Sequence, residues 1–356
     1  MRPGYVRQMS RSSGQPRVSI LLPARNAAET LPGCLDSIAR QTEHRFECIV
    51  VDDASRDATA HIATGFAARD ERFRVISGPG NGLVAALTTG LAHCTAPLIA
   101  RMDADDWMRR RRLELQSAEL DQRTELAGVG SHVRLFPRTA LSDGRRSYEQ
   151  WLNGLRTPEE LQRDTFVECP LAHPTWMFRR ETFERFPYRD CPWPEDYDLL
   201  LRALTGGCTF ASLPQRLLSW RDSSTRLSRT HANYSQAAFV ACKAEHLAKT
   251  FLSKHSHYVL WGYGSTGRSL CAALAQCDRF PEHIVELHPR RIGQNIHGAP
   301  VIAPEALPEL RRVTQRHDGK PIRILVSVAG SKPRSEIREA LSAMHFKEGI
   351  DFVCAA

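Results

Sequence analysis

Carboxylates recur in this sequence where a chain could handle phosphates and hydroxyls. Asp103 and Asp105 stand two residues apart at the end of the apolar run Leu98–Met102, so in an extended chain their side chains point the same way. Two hard oxygen ligands with room for water and substrate phosphates suit Mg²⁺ or Mn²⁺, which neutralise a diphosphate leaving group. Alone, such a pair equally solvates a turn or caps the next helix. It is not alone: Asp53 closes another apolar run, and Glu195-Asp196 opens a helical stretch behind Pro194. A helix start favours an ionised carboxylate, so Asp196 can be held as a base, although complementing the helix N-terminus accounts for the pair as well. Far downstream, Gly262, Gly264 and Gly267 form GxGxxG between a strand and a helix, with Glu286 where a ribose-binding acid would stand. That unit fits either NAD(P) or a docking or oligomerisation module that has lost its ligand.

The elements that must position these groups alternate. Val18–Leu22, Phe46–Val51, Phe73–Ile76 and Leu98–Met102 read as strands. Leu31/Leu35/Ile38, Ile62/Phe66 and Leu83/Leu87/Leu91 read as the helices between them. This spacing predicts parallel strands joined by crossovers, with the ligand beyond their carboxyl ends, where Pro23–Asn26, Asp52-Asp53 and Asp103–Asp106 lie. After the strand-like run Val129–Phe136 the alternation breaks. Residues 137–170 read as loop and amphipathic helix, Trp176–Phe178 as a strand, Pro194–Gly206 as a helix, and 231–256 as one connecting helix. A new strand, glycine loop and helix start at Tyr258, followed by strands at Ile284–Leu287 and Ile322–Val328 and a helix from Pro333 to Met344. The expected organisation is a loose basic tail over 1–17, an α/β domain over 18–230, the connecting helix, and a small Rossmann-like domain over 257–356.

Composition sets the outer bounds. The 356 residues, 42% hydrophobic and 25% charged, are ordinary for a globular chain and enough for two domains. The net charge of +8 permits an anionic ligand or an anionic membrane surface. Only six of the 48 basic residues are lysine, which fits codon bias better than a nucleic-acid footprint. The run Arg109–Arg112 has no interleaved aromatics and reads as a solvated helix face with Arg112 paired to an acid. No nucleic-acid partner is expected. Ten cysteines without a CxxC, mostly in apolar stretches, point to a reducing, cytoplasmic setting rather than a zinc site or disulfide framework. The longest stretch without Asp, Glu, Lys or Arg, Val75–Ala100, contains four glycines and two prolines and does not read as a membrane span.

Taken in order, Val18-Ser-Ile-Leu-Leu-Pro-Ala-Arg-Asn26, Ile49-Val-Val-Asp-Asp-Ala-Ser55, Asn81-Gly-Leu83, Ala100-Arg-Met-Asp-Ala-Asp-Asp106 and Pro194-Glu-Asp-Tyr-Asp-Leu199 resemble the family-2 glycosyltransferases. His173-Pro-Thr175, Arg112-Leu-Glu114, Trp220-Arg221 and Arg226–Arg229 fit the same pattern, and the likeness covers about 18–230. It implies a GT-A nucleotide-sugar-binding fold and transfer with inversion from a nucleoside-diphosphate sugar, UDP-linked, to a saccharide or lipid-linked acceptor. In bacteria it further implies surface-polysaccharide synthesis at the inner membrane's cytoplasmic face, with peripheral association. By the same resemblance Pro23, Ala24, Arg25 and Asn26 line the nucleotide pocket, Asp53 bonds the base, and Asn81 and Gly82 lie near ribose and sugar. Asp103 and Asp105 form the DxD, with Asp105 the closer ligand to Mn²⁺ or Mg²⁺. Asp196 deprotonates the acceptor and Glu195 orients it. Two departures stand out. Ser223 replaces the histidine common two residues past the Trp-Arg arginine, a phosphate- or metal-contact position, which is compatible with weaker metal dependence. The stretch Val84–Gly90 lacks an arginine found in many members.

Beyond the resemblance, His173 either faces the acceptor or is a satisfied structural histidine, and Trp193 either stacks on a sugar or packs. Other classes stay in view. An NAD(P)-dependent oxidoreductase would need a catalytic Tyr-x-x-x-Lys, absent beside the glycine loop. A non-catalytic nucleotide-sugar scaffold predicts that Asp196→Asn changes nothing.

Overall fold

A computed structural model describes residues 14–223, 226–317 and 321–356. Most of the expected basic tail, residues 1–13, lies outside the described residues, as do 224, 225 and 318–320 and the side chains of 227, 228 and 314–317.

Apolar runs build the first sheet. β1 (Val18–Ala24) is buried along its whole length, as a central parallel strand covered on both faces must be. β2 (Phe46–Asp52), β3 (Phe73–Ser77) and β4 (Leu98–Arg101) complete a parallel half. β5 (Trp107–Met108), β6 (Leu126–Phe136), β7 (Met177–Arg179) and β8 (Thr209–Arg221) complete an eight-stranded sheet in the order β3-β2-β1-β4-β7-β6-β8-β5. β7 runs antiparallel to both β4 and β6 and interrupts the parallel order, which resumes beyond it where β6 pairs parallel with β8. The long β8 shows no clean alternation in sequence, because its middle, Pro214–Arg216, is exposed and its register against β6 shifts there.

Helices pack on both sides. α1 (Leu31–Ala39) buries Leu31, Cys34, Leu35 and Ile38, one stripe of a 3.6-residue period. α2 is Thr59–Ala67 and α3 is Leu83–His93. A β-carbon on Gly90 of α3 would stand 2.3 Å from Leu21 Cδ1 and 2.8 Å from Val51 Cγ2, so glycine lets α3 lie against β1 and β2. α4 (Arg112–Gln122), α5 (Asp143–Leu152), α6 (Pro158–Arg163) and α7 (Arg180–Arg185) follow. α8 (Glu195–Thr205) buries Tyr197, Leu199, Leu200, Leu201 and Leu204.

Two expectations are corrected. Arg112 is fully buried rather than on a solvated face. Its guanidinium donates to Gln116 Oε1 (2.9 Å) and to the carbonyls of Arg101 (2.9 Å) and Trp176 (3.3 Å), pinning the end of β4 instead of pairing with an acid. The single helix expected over 231–256 is divided. A short α9 (Leu227–Thr230) and a tight turn at Ala232–Tyr234 precede α10 (Gln236–Lys249), which starts where the Ser235 side chain accepts from Ala238 N at 3.2 Å.

Downstream, β9 (His257–Trp261), β10 (Phe280–Val285), β11 (Asn295–Ile296), β12 (Ala299–Ile302), β13 (Ile324–Val326) and β14 (Phe352–Cys354) form a second sheet in the order β11-β12-β10-β9-β13-β14. α11 (Ser265–Ala275), α12 (Leu307–His317) and α13 (Ser331–Ala343) flank it. One apolar cluster runs through both parts, from Leu21 and Val51 by way of Leu200, Val240 and Leu247 to Leu260 and Leu325. Among the described residues no helix is long and apolar enough to cross a membrane.

Candidate active site

The carboxyl ends of β1, β2 and β4 open onto a cavity of about 1330 Å³. Its wall contains Pro23, Ala24, Arg25, Asn26, Asp53, Asn81, Gly82, Asp103, Asp105, His173, Trp193, Glu195, Asp196 and Ser223. Residues spread over two hundred positions of chain therefore share one space.

On the β1–β2 side a carboxylate organises a loop. Asp53, 3% exposed, accepts from Gly80 N (2.8 Å, Oδ1) and Gly82 N (3.0 Å, Oδ2), and Arg25 Nη1 reaches its Oδ2 at 3.3 Å. The loop can wrap so tightly because Gly80 and Gly82 take φ of +75° and +94°. Asn26, itself at φ +49°, accepts from Arg56 N through Oδ1 (2.8 Å). Asn81 is presented from the loop's tip into the cavity.

At the end of β4, Asp103, Asp105 and Asp106 bring carboxylate oxygens within 4.8 Å of one another. Asp106 was not singled out in the sequence. It lies fully buried, its Oδ1 accepting from Arg221 N (2.7 Å) while its Oδ2 has no hydrogen-bond partner among the described residues. Burial, then the Asp103 charge, raises the Asp105 and Asp106 carboxyls above the ordinary range. Crowded acids with an orphaned buried oxygen are what a divalent cation would satisfy, so the donor set fits the implied metal. Arginines balance the cluster from behind. Arg101 Nη1 lies 2.5 Å from Asp103 Oδ1, and Arg226 Nη2 is 3.9 Å from Asp103 Oδ2 and rests on the Trp220 ring at 4.8 Å.

Across the cavity α8 begins. Pro194 precedes the helix with extended backbone, so Glu195 and Asp196 occupy its first turn. Burial, then the Glu195 charge, pushes the Asp196 carboxyl up to about 8. Its Oδ1 accepts from Tyr197 N at 2.7 Å. Glu195, 4% exposed, is raised by burial against an opposing hydrogen bond from Tyr234 Oη at 2.5 Å. His173 Nδ1 is 3.7 Å from Glu195 Oε1 and 4.0 Å from Asp196 Oδ2, and its Nε2 meets Tyr188 Oη at 2.6 Å. Burial and Arg101 hold this imidazole well below its usual pKa, hence neutral. Trp193 both packs and lines: its Nε1 donates to Asp198 Oδ1 (3.4 Å) and its ring borders the cavity. Arg101, Tyr188 and Tyr234 were missed because each gains its place only through tertiary contact. Only Arg101 had a sequence signal, its position two residues before Asp103 in a strand.

The glycine loop lies apart from this cavity's wall. Gly262 has φ +94°, and a β-carbon on Gly267 would stand 2.2 Å from Gly262 O, so both glycines serve close strand–helix packing. Gly264 caps α11, with open space around its α-carbon. Glu286 turns back onto the loop, its Oε1 accepting from Tyr263 N (2.8 Å) and Arg291 Nη1 (2.9 Å).

A half-parallel, half-mixed sheet with acids clustered at its strand ends is an α/β framework built around one acidic cavity. Known proteins agree. The family model described as glycosyl transferase family 2 matches residues 19–186. A Bacillus subtilis (strain 168) protein named as glycosyltransferase EpsE is 31% identical over 226 residues, covering 62% of this chain and 78% of that one. EpsJ of the same organism, an uncharacterized glycosyltransferase, is 28% identical over 269 residues, covering 69% and 72%. The S. aureus TarS 1–349 structure in complex with UDP-GlcNAc superposes with a TM-score of 0.55 at 16% identity, covering 72% of this chain and 71% of that one, a likeness of GT-A fold. This chain belongs to the family-2 glycosyltransferases. It carries their GT-A fold, and its activity is sugar transfer.

Proposed function

We propose that the chain moves a sugar from a UDP-linked nucleoside-diphosphate donor to a hydroxyl of a saccharide or lipid-linked acceptor, inverting the anomeric centre, in bacterial surface-polysaccharide synthesis. The observation that carries this reading is the meeting of Asp196 with Asp103 and Asp105, two members of the acid cluster, in the wall of one cavity. The UDP link follows the family resemblance and the donor named for the TarS structure. We also read the chain as two units dividing near residue 255, with transfer in the first.

Pro23–Asn26, the Asp53-held loop and Asn81 bind the nucleotide. Asp103 and Asp105 would hold Mn²⁺ or Mg²⁺, which when bound offsets the diphosphate's charge. Arg226 and Arg25 add positive charge along the same wall. Asp196 takes the proton of the acceptor hydroxyl as that oxygen bonds to the anomeric carbon and the bond to the diphosphate oxygen breaks. With one displacement the centre inverts, and no carboxylate nucleophile is required. Tyr234 and neutral His173 orient Glu195 beside the base.

Calorimetric titration with UDP, GDP, dTDP, CMP and NAD(P), with Mn²⁺ and with chelator, tests the reading. The expected result is cation-dependent UDP binding in the wild type that Asp105→Ala abolishes. Binding of NAD(P) alone, indifferent to cation and substitution, would overturn it.

A further inference from the structure

A second, smaller cavity of about 350 Å³ opens beside the first, at the lower end of the range for small-molecule sites (about 300–1,000 Å³). The two share the wall residues Glu168, Tyr234 and Phe239. Tyr234 is the residue that donates to Glu195, so the shared wall stands next to the first turn of α8, where Asp196 sits. The far wall belongs to the downstream part of the chain. Thr266 and Leu270 come from α11, the helix opened by the glycine loop, and Ala355 follows β14.

The lining is polar in an unusual way for an inter-element gap. Lys243 of α10, 7% exposed, donates to the carbonyls of Val167 (2.7 Å) and Ala355 (3.4 Å), and an ammonium carries three protons. Glu168 is the acid of the same wall, its Oε1 accepting from Cys169 N (2.9 Å). Thr266 adds a hydroxyl, and Phe239 and Tyr234 add ring faces. A purely apolar occupant would leave the remaining hydrogen-bonding capacity of Lys243 and Glu168, beyond these backbone partners, cut off from water. An anionic occupant would meet the Glu168 carboxylate. A neutral polyol meets every group: hydroxyls to the ammonium and the carboxylate, C–H faces to the rings.

We propose that this side cavity is an acceptor subsite for a neutral sugar ring, the one adjoining the sugar whose hydroxyl faces Asp196, and that the downstream unit thereby reads the acceptor. The inference rests on the sugar-transfer reading above. It gives the GxGxxG unit a task without a dinucleotide: its glycines let α11 pack so that Thr266 and Leu270 complete the wall.

The test uses the full chain with UDP-glucose, UDP-galactose and UDP-N-acetylglucosamine as donors. Acceptors are p-nitrophenyl glycosides of glucose, galactose, mannose and N-acetylglucosamine, each beside a matched neutral disaccharide and a matched uronic acid-containing disaccharide. The wild type is expected to favour the neutral disaccharide over its monosaccharide at least tenfold in kcat/KM. Thr266→Trp, on the half-exposed first turn of α11, fills the cavity and is expected to lower that ratio about tenfold. Lys243→Met is expected to lower it at least fivefold, with thermal melts reporting whether either variant folds. A wild-type ratio near one, an equal loss on mono- and disaccharide in folded Thr266→Trp, or preference for the acidic disaccharide would each overturn the subsite. Failure of every donor, including release of UDP to water, would overturn the transfer reading itself and the subsite with it.

Discussion

At the scale of single residues the site is a set of acids made unequal by their surroundings. Asp196 and Asp198 stand two apart in one helix, yet burial and Glu195 push the first up to about 8. Against the upward push of its own burial, hydrogen bonds from His246 and Arg202 hold the second down to about 2. A base must be ionised to act, so kcat/KM is expected to rise with pH through about 8 and level off above it, measured from pH 5.5 to 9.5 with a stopped assay for UDP release. Asp196→Asn is expected to cut kcat by about 10²–10⁴-fold and leave UDP binding in place, and retention of full turnover would remove Asp196 from the role of base. The sequence made Asp103, Asp105, Asp53, Glu195 and Asp196 legible because acids at strand ends and a helix start need no tertiary information to be noticed. Asp106 stands in the same motif without a legible role, since nothing in Asp-Ala-Asp-Asp says which acid turns inward. Tyr188, Tyr234 and the burial of Arg112 could not be read, because each depends on which distant surface meets it.

Elements place these residues, and two contacts show how. Asp198 ties α8 to α10 through His246 (3.1 Å) and grips Arg202 at 2.7 Å, so the helix carrying Asp196 is anchored two residues beyond it. The lowered Asp198 pKa means this anchor contributes fully above pH 4 and is lost as pH falls toward 2, with a magnitude on the order of 2 kcal/mol. Asp198→Asn is expected to lower the Tm at pH 6 and to flatten its fall below pH 4, which a series of thermal melts from pH 2.5 to 6 would register. In the parallel half, Gly90→Ala forces a methyl into Leu21 and Val51. It is expected to cost about 1–3 kcal/mol by urea denaturation. The first four strands and their helices followed from apolar spacing alone. β8 did not, since a strand that bends and changes register midway carries no steady alternation.

For the whole molecule the governing fact is the apolar cluster that crosses from the first sheet through α8 and α10 into the second. Intrinsic fluorescence of the tryptophans, five of which lie upstream of the second sheet and the sixth, Trp261, in its β9, and far-ultraviolet circular dichroism are expected to report one coincident unfolding transition. Leu247→Ala, which empties the fully buried face of α10, is expected to shift that transition as a unit by about 2–5 kcal/mol. Two separated transitions would show that the sheets fold independently. Arg338 adds a polar tie, bonding Asp164 Oδ1 at 2.6 Å across 174 residues. The boundary that the sequence suggests near residue 255 therefore separates two sheets, each with an apolar cluster of its own, while a third cluster crosses it. A recombinant exchange that joined the first sheet to a relative's downstream half at that point would carry α10 without the surface it was shaped against. Interchangeability between such halves is set by the inner face of one helix, and a productive graft would move Gln236–Lys249 together with the sheet it serves.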